Sequence, residues 1–340
     1  MKILLIGGTG TISMAVTKRL LEQGEDLTLI NRGNRNSDLP GTVKLISCDI
    51  HDESAAREAL KDLSFDCVAD FIAFTPEQVE RDFRLFSGKT RQYIFISTAM
   101  TYQKPPVNYL ITEGIPHKNP YSQYAQDKIS CEILLGKHYR EDGFPITIVR
   151  PSLTYDERRI PFGLQGKNGF YAVVKRMLEG KPVIIHGDGT SLWTVTHNSD
   201  FAAAFTGLIG NPHAIGEAVH ITSDEVLTWN QIYQITADAL GVELNAVHVS
   251  SEFLLAAGGF DISSSLLGDK AFSLVFDNSK IKRLVPGFSA KIRFDQGVKQ
   301  SIAYIMNHPE CQKDDPEFDI WCDRVIQARE AAIRTILDSK

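Results

Sequence analysis

The sequence has no pair of cysteines at the C-x-x-C spacing that is typical of zinc sites and redox motifs. Its five cysteines are odd in number and scattered: Cys48, Cys67, Cys131, Cys311 and Cys322. We therefore expect reduced thiols in a reducing compartment and no disulfide framework. The histidines of the later region, His186, His197 and His220, also lack metal-ligand spacing. No metal site is predicted.

Long hydrophobic runs and basic runs are missing as well. Only four apolar residues, 3–6, precede the first glycine, which is too short a run for a signal peptide, and no stretch approaches the length of a membrane span. The net charge is −6, and an acidic chain without a basic cluster argues against nucleic acid as a partner. We expect a soluble, cytoplasmic protein that does not contact membranes.

The first part of the chain alternates short β-rich runs with helical stretches, without internal repeats. Nearly every strand-like run is wholly apolar, as in a sheet that helices cover on both faces. Six strands are predicted: 3–6, 27–30, 43–46, 67–69, 93–96 and 146–149. The sequence therefore predicts an α/β fold with a Rossmann-type, doubly wound parallel sheet, whose ligand would bind at the carboxyl ends of the strands.

A length of 340 residues suggests this sheet domain and a smaller satellite. We predict a dinucleotide-binding domain over 1–155, with part of about 183–222 returning to it. A smaller, mixed α/β substrate region would occupy 156–310, interleaved with the first. The last part, 311–340, is predicted to form an amphipathic helix over 318–337, and packing on the protein's own core is favoured over an oligomer contact.

Glycines join the first strand to the first helix in the segment GGTGTIS, 7–13. Gly7 and Gly10 would let the backbone approach a pyrophosphate closely, while Thr11 and Ile12 open a helix with free N–H donors. The alternative is an ordinary tight turn. The segment lies between a strand and a helix within the first residues of the chain, which favours a phosphate-binding loop. Ser13, however, replaces the third glycine of the motif.

The end of the second strand distinguishes between two dinucleotides. NAD enzymes usually carry an acidic residue there, whereas this chain has Asn31 and Arg32, with Arg35 close behind. A guanidinium can bind the 2′-phosphate, so NADP is the predicted cofactor and NAD the alternative. Asp49 and Ile50, after the third strand, are predicted to contact the adenine.

Tyr124 and Lys128 stand four residues apart, which places them on one face of a helix. A nearby ammonium stabilises a phenolate, so Tyr124 could exchange a proton near neutral pH, and Lys128 could also bind the nicotinamide ribose. A hydroxyl at the end of the fifth strand would bind the substrate oxygen. Thr98 is the first choice and Ser97 the second, while the alternative is that both only cap the strand.

Taken together, these segments resemble the extended short-chain dehydrogenase/reductase family, also called the NAD-dependent epimerase/dehydratase family. The residues that carry the resemblance occur in the family's order: the glycine loop, 97–102, Glu113, 120–124, Lys128, Glu132, Arg150 with Pro151, 187–189 and Asp200. The resemblance implies that the backbone at Pro151 meets the nicotinamide. It also implies a possible homodimer, formed through two helices that include the one carrying Tyr124.

Two departures bear on the substrate. Trp193 stands where sugar-nucleotide enzymes of the family commonly place an arginine, and an indole can stack on a substrate but cannot neutralise a diphosphate. Ala99 and Met100 stand where the sugar 4,6-dehydratases carry Asp and Glu, so that activity is not expected. The glycine-rich loop and the missing arginine favour the atypical members of the family, a group that also resembles the plastid stem-loop RNA-binding proteins built on this fold.

The predicted activity is hydride transfer at a secondary alcohol or ketone of a small molecule, possibly a sugar or sugar nucleotide, as reduction or epimerisation. One alternative is a reductase of a non-sugar carbonyl compound, for which Trp193, Phe162 and Phe170 would be suitable. The other is a protein that kept the fold but binds RNA or senses the cofactor without catalysis.

Overall fold

A computed structural model describes residues 1–34, 39, 41 and 43–339. The strands are β1 (Lys2–Ile6), β2 (Asp26–Asn31), β3 (Lys44–Ser47), β4 (Cys67–Asp70), β5 (Tyr93–Ile96), β6 (Leu110–Ile111), β7 (Ile146–Pro151), β8 (Leu153–Tyr155), β9 (Val183–His186), β10 (Leu192–Trp193), β11 (Val195–His197), β12 (Ala218–Ile221), β13 (Leu227–Thr228), β14 (Ala246–Val249) and β15 (Val275–Phe276). The helices are α1 (Thr11–Glu22), α2 (Glu53–Ala59), α3 (Pro76–Phe86), α4 (Gln123–Asp142), α5 (Tyr171–Leu178), α6 (Asn198–Leu208), α7 (Trp229–Leu240), α8 (Ser251–Ala257), α9 (Ser263–Ser265), α10 (Ser279–Leu284), α11 (Phe294–Asn307) and α12 (Pro316–Asp338).

Seven parallel strands form the central sheet in the order β12-β7-β5-β4-β1-β2-β3. The six strands predicted from the sequence all lie in this sheet. Strand order reverses between β1 and β4, and in a doubly wound sheet such a reversal opens a crevice at the carboxyl ends of the strands. The predicted Rossmann-type α/β fold is confirmed.

Helices cover both faces of the sheet because its strands are apolar on both sides. α1 and α6 pack on one face, with Val16, Leu20 and Phe205 in the core, and α2, α3 and α4 pack on the other, with Val79 and Leu135. Apart from the exposed edge strand β3, the sheet is therefore largely buried, and its strand ends are open to a ligand.

The later region has its own core, to which α5, α7, α11, α12 and β9 contribute. Of the segment about 183–222 that was predicted to return partly to the sheet, β12 does so beside β7. β9 does not, because it pairs with β14 in a separate two-stranded ladder. The chain thus crosses between the two cores. The sequence of β9 shows an apolar run but does not show which strand pairs with it.

The C-terminal helix, α12, is amphipathic along its first half. Phe318, Trp321 and Val325 are buried in the second core, whereas Ile336 and Leu337 are 61% and 60% exposed. In the part of the chain that the structure describes, no helix combines the length and the apolar character that crossing a membrane requires.

Candidate functional site

The glycine loop follows β1 and leads directly into α1. Gly7 and Gly8 have φ angles of +104° and +93°, which side chains rarely adopt. A Cβ on Gly8 would lie 2.8 Å from the Leu29 side chain, so the loop packs against β2. Ser13, the departure from the glycine motif, accepts a hydrogen bond from the Gly10 N–H at 2.9 Å. Its hydroxyl therefore holds the loop, a role that the motif comparison missed.

Two adjoining cavities open at the carboxyl ends of the central strands. The larger has a volume of about 650 Å³ and is lined by Gly7, Gly10, Asn31, Arg32, Asp49 and Ile50. The smaller, about 250 Å³, is lined by Gly10, Thr11, Ile12, Ser97, Tyr124, Lys128 and Pro151. Gly10, Ser13, Phe71 and Phe74 line both. Every residue predicted to bind the cofactor therefore lines this pair of cavities.

The pair of cavities suits a dinucleotide. The glycine loop lies where the cavities meet, as a pyrophosphate would require, and its lining residues Gly7 and Gly10 have no Cβ. Beyond it, in the larger cavity, Asn31 accepts a hydrogen bond from the Gly33 N–H at 2.8 Å, and the Arg32 side chain is exposed. Arg35, the second predicted basic residue, lies outside the described residues.

Helix α4 carries the predicted proton-transfer pair. The helix starts at Ser122, whose hydroxyl accepts from the Ala125 N–H at 3.3 Å. Burial raises the pKa of Tyr124, and the Thr98 hydroxyl, from the end of β5, opposes this effect without cancelling it. Thr98, Tyr124 and Lys128 are thus brought together, but the free protein does not favour a phenolate.

Lys128 differs from the expected arrangement. Its Nζ donates to the carbonyl oxygens of Ala73 at 2.7 Å and Ile96 at 2.6 Å, and it lies 4.7 Å from the centroid of the Phe74 ring. Burial lowers the pKa of Lys128 to about 8. The carbonyls hold the ammonium, which lies 5.9 Å from the centroid of the Tyr124 ring. Spacing alone predicted their proximity but not the orientation of the ammonium.

Ser97 is occupied by a buried ion pair behind the site. Its hydroxyl donates to Glu132, whose carboxylate binds Arg150 through two hydrogen bonds of 3.0 and 2.6 Å. Both charged side chains are 4% exposed. Ser97 lines the smaller cavity, but its proton is directed at Glu132, whereas the Thr98 hydroxyl accepts from the Met100 N–H at 3.2 Å. Glu132 and Arg150 are among the residues that carry the family resemblance, but their pairing was not predicted from the sequence.

Phe74 is a lining residue that the sequence reasoning missed. It is 44% exposed, lines both cavities and lies 6.3 Å from the Tyr124 ring, centroid to centroid. It follows β4, which lies next to β1 in the sheet, at the point where the strand order reverses. A search of the residue positions just after each predicted strand would have found it.

Three aromatic residues suggested as substrate contacts belong to the second core instead. Trp193, Phe162 and Phe170 are 1%, 1% and 8% exposed. The Trp193 ring lies 5.4 Å from that of Trp229, centroid to centroid. The predicted stacking of Trp193 on a substrate is thus at odds with its place in the packed core, and these residues no longer support an apolar substrate.

Comparisons with known proteins agree with this architecture. The sequence profile of the NAD dependent epimerase/dehydratase family matches residues 3–222. The chain is 23% identical over 291 residues to 2′-dehydrokanamycin reductase of Streptomyces kanamyceticus, covering 86% of this chain and 81% of the reductase. It is 26% identical over 258 residues to a chloroplast stem-loop binding protein of 41 kDa from Arabidopsis thaliana, covering 71% of this chain and 63% of that protein.

Among solved structures, the fold is similar to that of UDP-glucuronic acid 4-epimerase from Bacillus cereus, which was crystallised with UDP-glucuronic acid and NAD. The TM-score is 0.72 and the identity 21%, over 90% of this chain and 99% of the epimerase. At this identity the likeness shows the fold alone.

Proposed function

This chain belongs to the NAD-dependent epimerase/dehydratase family, and from that premise we propose that it is an NAD(P)-dependent oxidoreductase or epimerase acting at a secondary alcohol or ketone. The observation that carries the proposal is that Tyr124 and Lys128 line one end of a cavity whose other end is the glycine loop, with the Thr98 hydroxyl acting on the Tyr124 phenol. The pairing of a phosphate-binding loop with a proton donor suits hydride chemistry on a bound dinucleotide.

The residues would divide the work as follows. The backbone N–H groups at the start of α1, at Thr11 and Ile12, would hold the pyrophosphate, and Gly7 and Gly10 would let the loop backbone approach it closely. The Tyr124 hydroxyl would pass its proton to, or take one from, the substrate oxygen, while Thr98 would bind the same oxygen. The Lys128 ammonium would hold the ribose with its third proton, the other two being directed at carbonyls. A bound nicotinamide would supply or accept the hydride, and its positive charge in the oxidised form would favour the Tyr124 phenolate.

The substrate oxygen would be that of a small molecule such as a sugar or sugar nucleotide. A 4,6-dehydratase activity is not proposed, because Ala99 and Met100 follow Thr98 and neither side chain can exchange a proton. Reduction and epimerisation both begin with the same proton and hydride movement, so both stay within the proposal. With Phe162 and Phe170 buried, no observation favours a non-sugar carbonyl compound.

NADP is the proposed dinucleotide. Arg32 lines the larger cavity, and Asn31, at the end of β2, brings no carboxylate that would repel a 2′-phosphate. NAD stays the alternative, because Asp49 lines the same cavity and could bind a ribose hydroxyl instead.

We expect Arg32→Ala to weaken NADPH binding roughly 10- to 100-fold, the loss of one charge-assisted contact, and to leave NADH binding within about threefold. Calorimetric titration with both dinucleotides measures the two affinities. Arg91→Ala is the matched control, because Arg91 is 86% exposed and precedes β5 at the opposite end of the sheet. Tighter binding of NADH than NADPH would assign NAD. Binding of neither would remove the enzyme proposal and bring forward RNA binding, which a gel shift at moderate salt then tests.

The affinity for the dinucleotide should fall as the pH rises through about 8, because Lys128 loses its proton there in the free protein. The affinity falls with rising pH because the charged form of Lys128 is the one that donates to the ribose. That form is present below this pKa. In Lys128→Met the affinity should be lower and flat with pH. Titrations between roughly pH 7 and pH 9 measure both slopes. A variant that keeps the wild-type slope would show that another group titrates.

A further inference from the structure

One turn, residues 71–74, contacts three parts of the site. It follows β4, and its two phenylalanine side chains line both cavities. A Cβ on Gly7 would lie 3.2 Å from the Ile72 side chain, so the turn also packs against the glycine loop. The carbonyl oxygen of Ala73 accepts a hydrogen bond from the Lys128 ammonium at 2.7 Å. The position of this turn therefore helps to set both the shape of the cavities and the place of the ammonium.

Asp70, the last residue of β4, holds this turn in place. Its side chain is fully buried, and its Oδ1 accepts from the N–H groups of Ile72 at 2.5 Å and Ala73 at 2.9 Å. The second of these N–H groups belongs to the residue whose carbonyl binds Lys128. Asp70 itself lines neither cavity, so it would act on a ligand through the turn and not by direct contact.

The second carboxylate oxygen of Asp70 is less well satisfied. Among the described residues Oδ2 has no hydrogen-bond partner, and the Arg81 guanidinium lies 3.6 Å from it. That guanidinium is directed at Asp82, to which it donates two hydrogen bonds of 2.9 and 2.6 Å. A buried carboxylate with an unsatisfied oxygen is stabilised by a further cation in its surroundings. The Lys128 ammonium, bound to the same turn, is such a cation.

Several titratable groups face the Lys128 ammonium. Asp70 faces it from β4, while Tyr124, Cys131 and Glu132 belong to the same helix, α4. β5 contributes a carbonyl oxygen and a phenylalanine ring, neither of which titrates. Burial lowers the pKa of Lys128 to about 8, and Asp70 opposes burial more than Cys131 or Glu132 does. The carboxylate that fixes the turn therefore also stabilises the ammonium that the turn binds.

We propose that Asp70 is a positioning residue for dinucleotide binding, because it fixes the turn whose Ala73 carbonyl holds the Lys128 ammonium. The inference rests on the proposed function, in which that ammonium binds the nicotinamide ribose. Two properties of the Asp70 side chain contribute. Its Oδ1 determines where the ammonium lies, and its negative charge determines up to which pH the ammonium stays protonated. Asp70 thereby acts on the ribose through Lys128, and on the pyrophosphate through the glycine loop against which the turn packs.

The test is calorimetric titration with NADPH between roughly pH 7 and pH 9.5. Asp70→Ala removes both the acceptor and the charge, so we expect its affinity to fall at least about tenfold at every pH. Asp70→Asn keeps an oxygen that can accept from the two N–H groups, so its affinity at about pH 7 should stay within about threefold of the wild type. Its loss of affinity with rising pH should begin at least about half a pH unit earlier, since the negative charge is gone.

Asp82→Ala is the matched control. Asp82 is equally buried and binds the same Arg81 guanidinium, but its other partner is the Tyr93 hydroxyl and not the turn. This variant should melt at a lower temperature and keep the wild-type affinity and pH dependence. Asp70→Ser, whose hydroxyl can also accept from the N–H groups of the turn, provides a second uncharged variant if the amide is not tolerated beside Arg81.

A carboxylate needed only for folding would lower the melting temperature of the Asp70 variants and leave their affinity and pH dependence as in the wild type. That result overturns the proposal, and so does an equal loss of affinity in Asp82→Ala. Uncharged acceptor variants, Asp70→Asn and Asp70→Ser, that bind no better than Asp70→Ala also overturn it. A wild type that binds no dinucleotide would remove the proposed function itself, whereas unchanged Asp70 variants of a wild type that binds would remove only the role of Asp70.

Discussion

Replacing Tyr124 by phenylalanine should lower turnover by roughly 10²- to 10⁴-fold and leave dinucleotide binding within about threefold. The change deletes only the phenol oxygen, which in the proposed mechanism moves the proton to or from the substrate. The ring would still pack 6.3 Å from Phe74 and keep the shape of the smaller cavity. Turnover is measured as the change in dinucleotide absorbance with whichever ketone, alcohol or sugar nucleotide is active in a screen.

Tyr139→Phe is the control for this prediction. Tyr139 lies on the same helix, α4, and is 40% exposed, the same fraction as Tyr124, but lines neither cavity. It should keep wild-type turnover. If Tyr124→Phe also kept it, the proton would have to come from another group, and the role given to Tyr124 would be wrong.

The second large effect is expected at the buried ion pair behind the site. Glu132→Ala should lower the free energy of unfolding by about 3–5 kcal/mol, because it leaves the Arg150 guanidinium buried without its carboxylate. Arg150 would keep one contact, to the Tyr102 hydroxyl at 3.3 Å. Denaturant unfolding of the dinucleotide-free protein, followed by fluorescence, measures the change.

Two further variants separate charge from volume at this pair. Glu132→Leu combined with Arg150→Met removes both charges and should recover most of the loss, since the penalty arises from one unpaired charge and not from the missing attraction. Glu141→Ala, on the same helix, removes an exposed partner 3.8 Å from Lys137 and should produce no measurable change. A Glu132→Ala protein as stable as the wild type would show that water or a neighbour replaces the carboxylate.

The sequence by itself determined the local features of the fold and of the site. The strand, glycine loop and helix at the start of the chain depend on residues that are neighbours in sequence, and so does the spacing of Tyr124 and Lys128 on one helix face. The positions at the ends of β1, β2, β3 and β5 were predictable as site residues because parallel strands all end at one edge. Those rules, together with the family resemblance for Pro151, gave ten cofactor residues, and all ten line the two cavities.

Only the tertiary structure decided which residues that are far apart in the chain contact each other. The Lys128 ammonium binds a carbonyl at Ala73, and the Ser97 hydroxyl binds Glu132. Trp193 was predicted as a substrate contact because it stands where related enzymes carry an arginine, and only the structure shows that it packs against Trp229, which is distant in sequence. Periodicity reports which face of an element is buried, but a side chain's partner and its final direction depend on how distant elements pack, and that packing sets both the charge and the shape of the site.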